Sequence, residues 1–203
     1  IALALSFGEI SITPVQRADA PPQELIVLDQ VNPRGEGADR WHSDNTFMAE
    51  PPMGSILQAI QLPALGGDTC FASMYAAYEL LSPSLRSSLE GLRAVHDVTP
   101  MVLRTQAAGL ATPDLAAMRR DWPPVEHPVI RTHPRTGRKL LFVNGNFTTR
   151  IVGMAEKPTP DGGTPEPWFP DEPISTENCG ADITDGVGTG FQQLSVMTGG
   201  EGR

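Results

Sequence analysis

The chain has 203 residues, enough for one domain with a full hydrophobic core, because a domain of this size buries about 70 % of the surface of its unfolded chain. Its apolar content of 39 % and charged content of 19 % are typical of an ordinary soluble globular protein. The formal net charge of −9 argues against nucleic acid and against anionic membrane surfaces as partners, since both favour basic patches.

The two cysteines, Cys70 and Cys179, lie far apart in the sequence and form no CxxC pair. Free thiols in a reducing compartment are the expectation, with a single disulfide as the alternative, and we predict a cytoplasmic protein. The opening segment IALALSF is apolar but short and has no basic leader or cleavage signal, so we expect neither a signal peptide nor a membrane span. Because the chain starts inside an apolar pattern and without methionine, we expect it to be truncated.

The first predicted elements are strands. LIVLD (25–29) favours a buried strand, and GSILQAIQL (54–62) favours a second strand. ALGGDTCFAS (64–73) predicts a Gly-Gly turn that enters a third strand.

Two short helices, broken at Ser82-Pro83, are predicted next. Serine is a favourable N-cap and proline suits the first helical position. Leu85, Leu89 and Leu92 then recur at the spacing of one helical face.

The second half of the chain contains a predicted loop and a predicted meander. Residues 97–126 lack strong periodicity, which indicates a long loop that could act as a lid over a substrate. Three strand-like runs follow, and they predict an antiparallel meander over 127–152, with Asn144-Gly145 as a hairpin turn.

From residue 158 the composition changes. Residues 158–203 hold eight acidic residues and one basic residue, Arg203, and therefore carry −7 of the net charge of −9. Six prolines, nine glycines and little apolar periodicity favour a linker or disordered tail. We therefore predict one domain over 1–157 and an acidic Pro/Gly-rich tail over 158–203.

The stretch RWHSDNTF (40–47) contains the strongest candidate for chemistry. If it is extended, His42 and Asp44 point to one side, and Trp41 and Ser43 point to the other. A converging imidazole and carboxylate supply two of the three ligands of the facial triad that binds non-haem Fe(II). The alternative is that the histidine donates to a backbone carbonyl and the aspartate caps a turn.

Longer motifs surround this pair. WHSDNTFMAEPPMGSILQAIQLPALGGDT and HPVIRTHPRTGRKLLFVNGNFTTRIVGMAEK (127–157) resemble two stretches of the TauD/TfdA family of Fe(II)- and 2-oxoglutarate-dependent dioxygenases. With FGEI (7–10), the resemblance extends over about residues 1–157. It implies a mainly β fold with flanking helices, a double-stranded β-helix (jelly-roll, cupin-like) that is incomplete at both ends.

The resemblance also implies a reaction: hydroxylation of a small, anionic organic substrate by dioxygen, with release of succinate and CO2 from 2-oxoglutarate. Taurine-specific members hold the sulfonate with a histidine and a tyrosine. The stretch EISITPVQ has Thr13 and Gln16 at these two positions, so taurine is a poor candidate substrate. The site residues implied by position are His42 and Asp44 as iron ligands, Thr69 as a contact to 2-oxoglutarate, and Phe147, Thr13 and Gln16 beside the substrate.

Other residues near these motifs have structural interpretations. Packing in a hairpin core is the alternative for Phe147, and Trp41 and Phe47 are expected in the core. The remaining expectations are a turn position for Asp68, structural roles for His127 and His133, and a surface or capping role for His96, with a position that reaches the site as the alternative for His96.

Two functional residues of the family have no counterpart in this sequence. The family's third iron ligand is a histidine near the C-terminus, and a nearby arginine pairs with the distal carboxylate of 2-oxoglutarate. Here no histidine follows His133, and the only arginine after Arg150 is Arg203. A divergent end or an altered reading frame would account for this, and we expect weak iron binding and poor turnover. The alternatives are a catalytically inactive fragment and a cupin-like metal-binding module that does not use 2-oxoglutarate.

Overall fold

The computed structural model describes residues 1–12, 25–29, 41–61, 71–109, 112, 114–154 and 190–197. Within these ranges the chain is built mainly of β-sheets with flanking helices, as the sequence predicts. Thr13, Gln16, Asp68, Thr69 and both cysteines lie outside the described residues.

The helices are short, and several begin at a side chain that caps the first turn. The Ser82 hydroxyl accepts a hydrogen bond from the Leu85 amide at 3.2 Å, and Pro83 takes the first helical position. The predicted break at Ser82-Pro83 is therefore confirmed. The five described helices are α1 (Ala2–Leu5), α2 (Met74–Leu80), α3 (Pro83–Leu89), α4 (Thr99–Ala107) and α5 (Leu115–Asp121). Among the described residues, no helix is long and apolar enough to cross a membrane.

The nine described strands form three antiparallel sheets. Two of the three strands predicted in the first half, at 25–29 and 54–62, are present as β2 and β3. The turn and third strand predicted over 64–73 lie mostly outside the described residues, and residues 71–73 have no regular secondary structure. The strands are β1 (Glu9–Ser11), β2 (Ile26–Asp29), β3 (Gly54–Gln61), β4 (Arg93–His96), β5 (Val125–Pro128), β6 (Ile130–Thr132), β7 (Lys139–Leu141), β8 (Thr148–Ile151) and β9 (Gly190–Met197).

The first sheet is organised around β9. Strand β3 pairs with β9 from Gly54 opposite Val196 to Gln61 opposite Gly190. Since β3 occupies one edge of β9 over almost its whole length, β1 and β2 share the other edge, β2 at the start of β9 and β1 at its end.

Strand β9 lies in the segment 158–203, whose composition predicts a tail without packed elements. At 190–197 the structure has a paired strand instead. The window GFQQLSVM contains four apolar residues, a local strand signal that the surrounding Pro/Gly-rich composition conceals. The division of the chain at residue 157 stays a prediction.

The prediction of one antiparallel meander over 127–152 is wrong in part, because its strands belong to two different sheets. Strands β6 and β7 form a hairpin, Ile130 opposite Leu141, as expected. Strand β8, however, pairs with β4, and β4 also pairs with β5, so the second sheet has the order β5-β4-β8. Asn144-Gly145 is therefore not a two-residue hairpin turn, because the strand that follows it joins a different sheet.

The main hydrophobic core is formed where the segment 97–126 packs onto the rest of the chain. This segment contains α4 and α5, so the expectation of a long loop is wrong. Its buried side chains join those of the turn after His42 and of the residues before β8, which makes the segment part of the core rather than a free lid. The core cluster contains Phe47, Met48, Val98, Val102, Met118 and Phe147, with Met101, Leu115 and Trp122 packed against it.

Candidate metal centre and the buried network beneath it

His42 and Asp44 converge, as the sequence predicts, but through a different backbone conformation. Residues 41–43 have no regular secondary structure and residues 44–47 form a turn, so the expectation of an extended segment is wrong. The turn includes Asn45 at φ +54°, a left-handed conformation that asparagine tolerates better than most residues, and the Met48 amide donates to the Asn45 carbonyl at 3.0 Å. The turn brings His42 Nε2 to 3.2 Å from Asp44 Oδ1.

The pair has the chemistry of a partial metal site. The two side chains are 22 % and 37 % exposed, so a ligand from solvent can reach them. An imidazole nitrogen and a carboxylate oxygen are both ligands of Fe(II) in facial-triad sites. Among the described residues, however, no group of three or more His, Cys, Asp or Glu side chains is placed to hold a metal ion. The donor set therefore fits two of the three protein ligands of such a site.

Two residues after Asp44, Thr46 anchors the turn in the protein interior. The Thr46 hydroxyl lies 2.9 Å from His96 Nδ1, on β4. It also accepts a hydrogen bond from Asn144 Nδ2 at 2.9 Å. All three side chains are buried, so each hydrogen bond is made in a region with little competing water.

His96 is fully buried, so the expectation of a surface or capping role is wrong. Its Nε2 lies 3.4 Å from Thr148 Oγ1, and its ring packs 5.7 Å from Phe142 at an interplanar angle of 27°. Burial, and then the charge of the neighbouring His127, lower the pKa of His96 from 6.5 to about 4, although a hydrogen bond to the Phe142 carbonyl raises it. His96 is therefore neutral at pH 7.

His127 holds the other end of the turn, which agrees with its expected structural role. Its Nε2 donates to the Met48 carbonyl at 3.0 Å, and its ring lies edge-on to His96 with centroids 5.1 Å apart. Burial lowers the pKa of His127, and the hydrogen bond to Met48 opposes that shift. His133, the other histidine with an expected structural role, accepts from the Arg135 and Thr136 amides in the β6–β7 turn.

The oxygen of the Asn144 side chain is hydrogen-bonded as well. Its Oδ1 accepts from the amides of Asn146 and Phe147 at 3.1 and 3.0 Å, which closes a local turn. The Gly145 amide donates to the Trp41 carbonyl at 3.4 Å. The 144–147 turn therefore lies against the backbone that precedes His42.

The remaining predicted residues have mixed outcomes. Phe147 is buried in the core, with its ring 5.1 Å from that of Phe47, so the packing interpretation agrees with the structure, and a substrate contact stays a prediction. Phe47 is in the core as expected, whereas Trp41 is 45 % exposed and is not. The roles of Thr69, Thr13 and Gln16 stay predictions, because these residues lie outside the described ranges.

The buried network of Thr46, His96 and Asn144 was not expected from the sequence. The only local signal is RAVH (93–96), in which a histidine ends a short apolar run and could equally face solvent. The three residues are about 50 positions apart along the chain, and tertiary structure brings them together: β4, which ends at His96, pairs with β8, which follows Asn144, and the Thr46 turn contacts both.

Comparison with known proteins gives one family. The sequence model of "Taurine catabolism dioxygenase TauD, TfdA family" matches residues 1–163. An alpha-ketoglutarate-dependent 2,4-dichlorophenoxyacetate dioxygenase from Cupriavidus pinatubonensis is 42 % identical over 171 residues. An alpha-ketoglutarate-dependent sulfate ester dioxygenase from Pseudomonas putida is 34 % identical over 142 residues.

These alignments cover 76 % and 64 % of this chain but only 58 % and 44 % of the two relatives, so the chain spans about half of their length. Among solved structures, a taurine dioxygenase from Burkholderia xenovorans superposes with a TM-score of 0.53 at 26 % identity. That superposition covers 97 % of this chain and 64 % of the other.

Proposed function

This chain belongs to the TauD/TfdA family of taurine catabolism dioxygenases, enzymes that use Fe(II) and 2-oxoglutarate, and on that premise we propose a function for it. The chain provides the His-x-Asp part of a non-haem iron centre for a 2-oxoglutarate-dependent dioxygenase that hydroxylates a small, anionic organic substrate. When bound, Fe(II) and 2-oxoglutarate supply the oxidation by dioxygen, with succinate and CO2 as products.

One observation carries this proposal: the 3.2 Å approach of His42 Nε2 to Asp44 Oδ1 on a turn that solvent can reach. Neither residue belongs to the core cluster, to which the turn and its following residue contribute Phe47 and Met48. In this proposal His42 and Asp44 hold the metal, and the Thr69 hydroxyl donates a hydrogen bond to a carboxylate of 2-oxoglutarate.

The relatives support the substrate class. Two of the proteins similar to this chain are named for 2,4-dichlorophenoxyacetate and for sulfate esters, which are small organic anions. We place Phe147, Thr13 and Gln16 beside the substrate. The surrounding fold is proposed to be a jelly-roll of the cupin type, in a cytoplasmic protein that binds neither nucleic acid nor a membrane.

The first test is anaerobic titration of the chain with Fe(II), alone and with 2-oxoglutarate. We expect weak binding that His42→Ala and Asp44→Asn each abolish, because removing either residue leaves one protein ligand among those proposed. His133→Ala is the matched control, since it removes a histidine from the β6–β7 turn, which is not part of the proposed centre. Binding that is unaffected by His42→Ala and Asp44→Asn would reject the proposed centre.

The second test is succinate formation with a panel of sulfonates, alkyl sulfates and aryloxyacetates. Low turnover is expected, because no histidine follows His133 and no three-ligand group is found in the described part of the chain. Rapid turnover would mean that a third ligand comes from outside the described residues.

The absence of that third ligand from the described residues favours one alternative, a catalytically inactive fragment. Metal binding that depends on His42 without succinate formation would support it. Metal binding with no spectral response to 2-oxoglutarate would instead support a cupin-like module that does not use 2-oxoglutarate.

A further inference from the structure

The turn that contains Asp44 is hydrogen-bonded to side chains of two other segments. Thr46, two residues after Asp44, contacts His96 at the end of β4 and Asn144 before β8. Neither His96 nor Asn144 contributes a ligand to the proposed centre. Both are buried polar residues, which are costly to retain unless their hydrogen bonds are satisfied.

One assignment of protons satisfies all the hydrogen bonds around Thr46 together. Asn144 Oδ1 already accepts from two backbone amides, so its Nδ2 must point to Thr46 and donate. The Thr46 hydroxyl accepts that bond with one lone pair and, in the arrangement that we assign, donates its own proton to an unprotonated His96 Nδ1. In this arrangement His96 carries its proton on Nε2, 3.4 Å from Thr148 Oγ1.

This chain of donors fixes the hydroxyl of Thr46 in position and rotation. Because Thr46 is in the same four-residue turn as Asp44, fixing it restricts where the Asp44 carboxylate can lie relative to His42. The turn also contains the left-handed residue Asn45, a conformation that persists only where its surroundings hold it. His127 supports the far end by donating to the Met48 carbonyl.

We infer that Thr46, His96 and Asn144 are positioning residues for the proposed metal centre. They act through the turn by holding the Asp44 carboxylate at the His42 imidazole, and they do not touch the metal. This inference rests on the proposed function.

The test compares two substitutions of Thr46. Thr46→Val keeps the shape of the side chain and removes the hydroxyl, which leaves His96 Nδ1 and Asn144 Nδ2 without a partner. Thr46→Ser keeps the hydroxyl. The matched control is Thr149→Val on β8, where the lost hydroxyl donates only to the Val95 carbonyl and does not contact the turn.

The readout is the dissociation constant of Co(II), followed by its visible absorption, at a temperature where thermal unfolding shows each variant to be folded. Thr46→Val is expected to weaken Co(II) binding by about 10- to 100-fold, the usual effect of losing an outer-shell partner of a metal site. Thr46→Ser and Thr149→Val are expected to bind Co(II) like the unaltered chain.

A loss of affinity in Thr46→Val no greater than that in Thr149→Val overturns the inference, and so does an equal loss in Thr46→Ser. If either result is found while His42→Ala abolishes binding, the proposed metal centre stands and only the positioning role fails. If Co(II) binding to the unaltered chain does not depend on His42, the proposed function fails and the inference fails with it.

A second measurement does not depend on any variant folding. Nitrogen chemical shifts of His96 in the unaltered chain report its tautomer at pH 7. Protonated Nε2 with bare Nδ1 is the expected result. Protonated Nδ1 would show that Thr46 does not donate to the ring, and it would overturn the inference.

Discussion

Lowering the pH should destabilise this protein through His96. Burial lowers the pKa of this residue from 6.5 to about 4, so in the interval between these values the unfolded chain binds a proton that the folded chain does not. The free energy of unfolding therefore rises with pH over this interval. The stability is fully present above pH 6.5 and is lost as the pH falls toward 4.

The size of the effect follows from the shift. One pKa unit corresponds to about 1.4 kcal/mol, so the full shift amounts to about 3 kcal/mol below pH 4. Between pH 7.5 and pH 5, proton linkage gives a loss of about 2 kcal/mol from His96 alone. The pKa of His127 is also lowered, and it adds to the loss in the same direction. A small domain is stable by only about 5–15 kcal/mol, so the effect is measurable.

Urea unfolding at pH 7.5, 6.5, 5.5 and 5.0 provides the assay, with His96→Asn as the comparison. Asparagine can place an amide group near the position of Nδ1 and bind Thr46, but it does not titrate. The variant should be less stable at pH 7.5 and should lose about 2 kcal/mol less than the unaltered chain on acidification to pH 5. An unchanged pH dependence in His96→Asn, or a directly measured His96 pKa near 6.5, would refute the reasoning.

Two further predictions concern stability away from the network. Phe47 is 1 % exposed and packs edge-on against Trp122 with centroids 6.1 Å apart, so Phe47→Ala should cost about 3–5 kcal/mol in chemical unfolding. Phe71→Ala, at a side chain that is 90 % exposed, should cost less than about 0.5 kcal/mol, and equal losses would contradict the described core. Ser82→Ala should cost about 1 kcal/mol, because it removes the cap on the Leu85 amide. The control is Ser87→Ala, at an exposed position of the same helix, and it should leave the free energy of unfolding unchanged.

Sequence patterns predicted the local elements of this fold better than its pairings. The N-cap at Ser82 and the strand over 54–61 depend on neighbouring residues, and both are present. The partner of β8 depends on contacts made far along the chain, and the Asn144-Gly145 signal suggested the wrong one. Residues 97–126 show only weak hydrophobic periodicity, because α4 and α5 are short and each buries only one or two side chains, and this is why the sequence indicates a loop there.

The candidate site shows the same division. The residue types His42 and Asp44 identified the pair, and their convergence is confirmed, although the turn at Asn45 and not a strand produces it. The buried network of Thr46, His96 and Asn144 could not be predicted, since nothing in the sequence spacing of these residues links them. Buried polar networks are specified by tertiary structure, and a single sequence shows only their separate members.

The central place of β9 has a consequence for how the chain reaches its native state. Every recorded pairing in the first sheet joins β9 to a strand that lies more than a hundred residues earlier. Such distant contacts slow folding, since a long loop must close before any of them forms. On the ribosome, β1, β2 and β3 would emerge well before β9, with their backbone groups open to neighbouring chains, so this sheet should be the last to assemble and the most exposed to aggregation during synthesis.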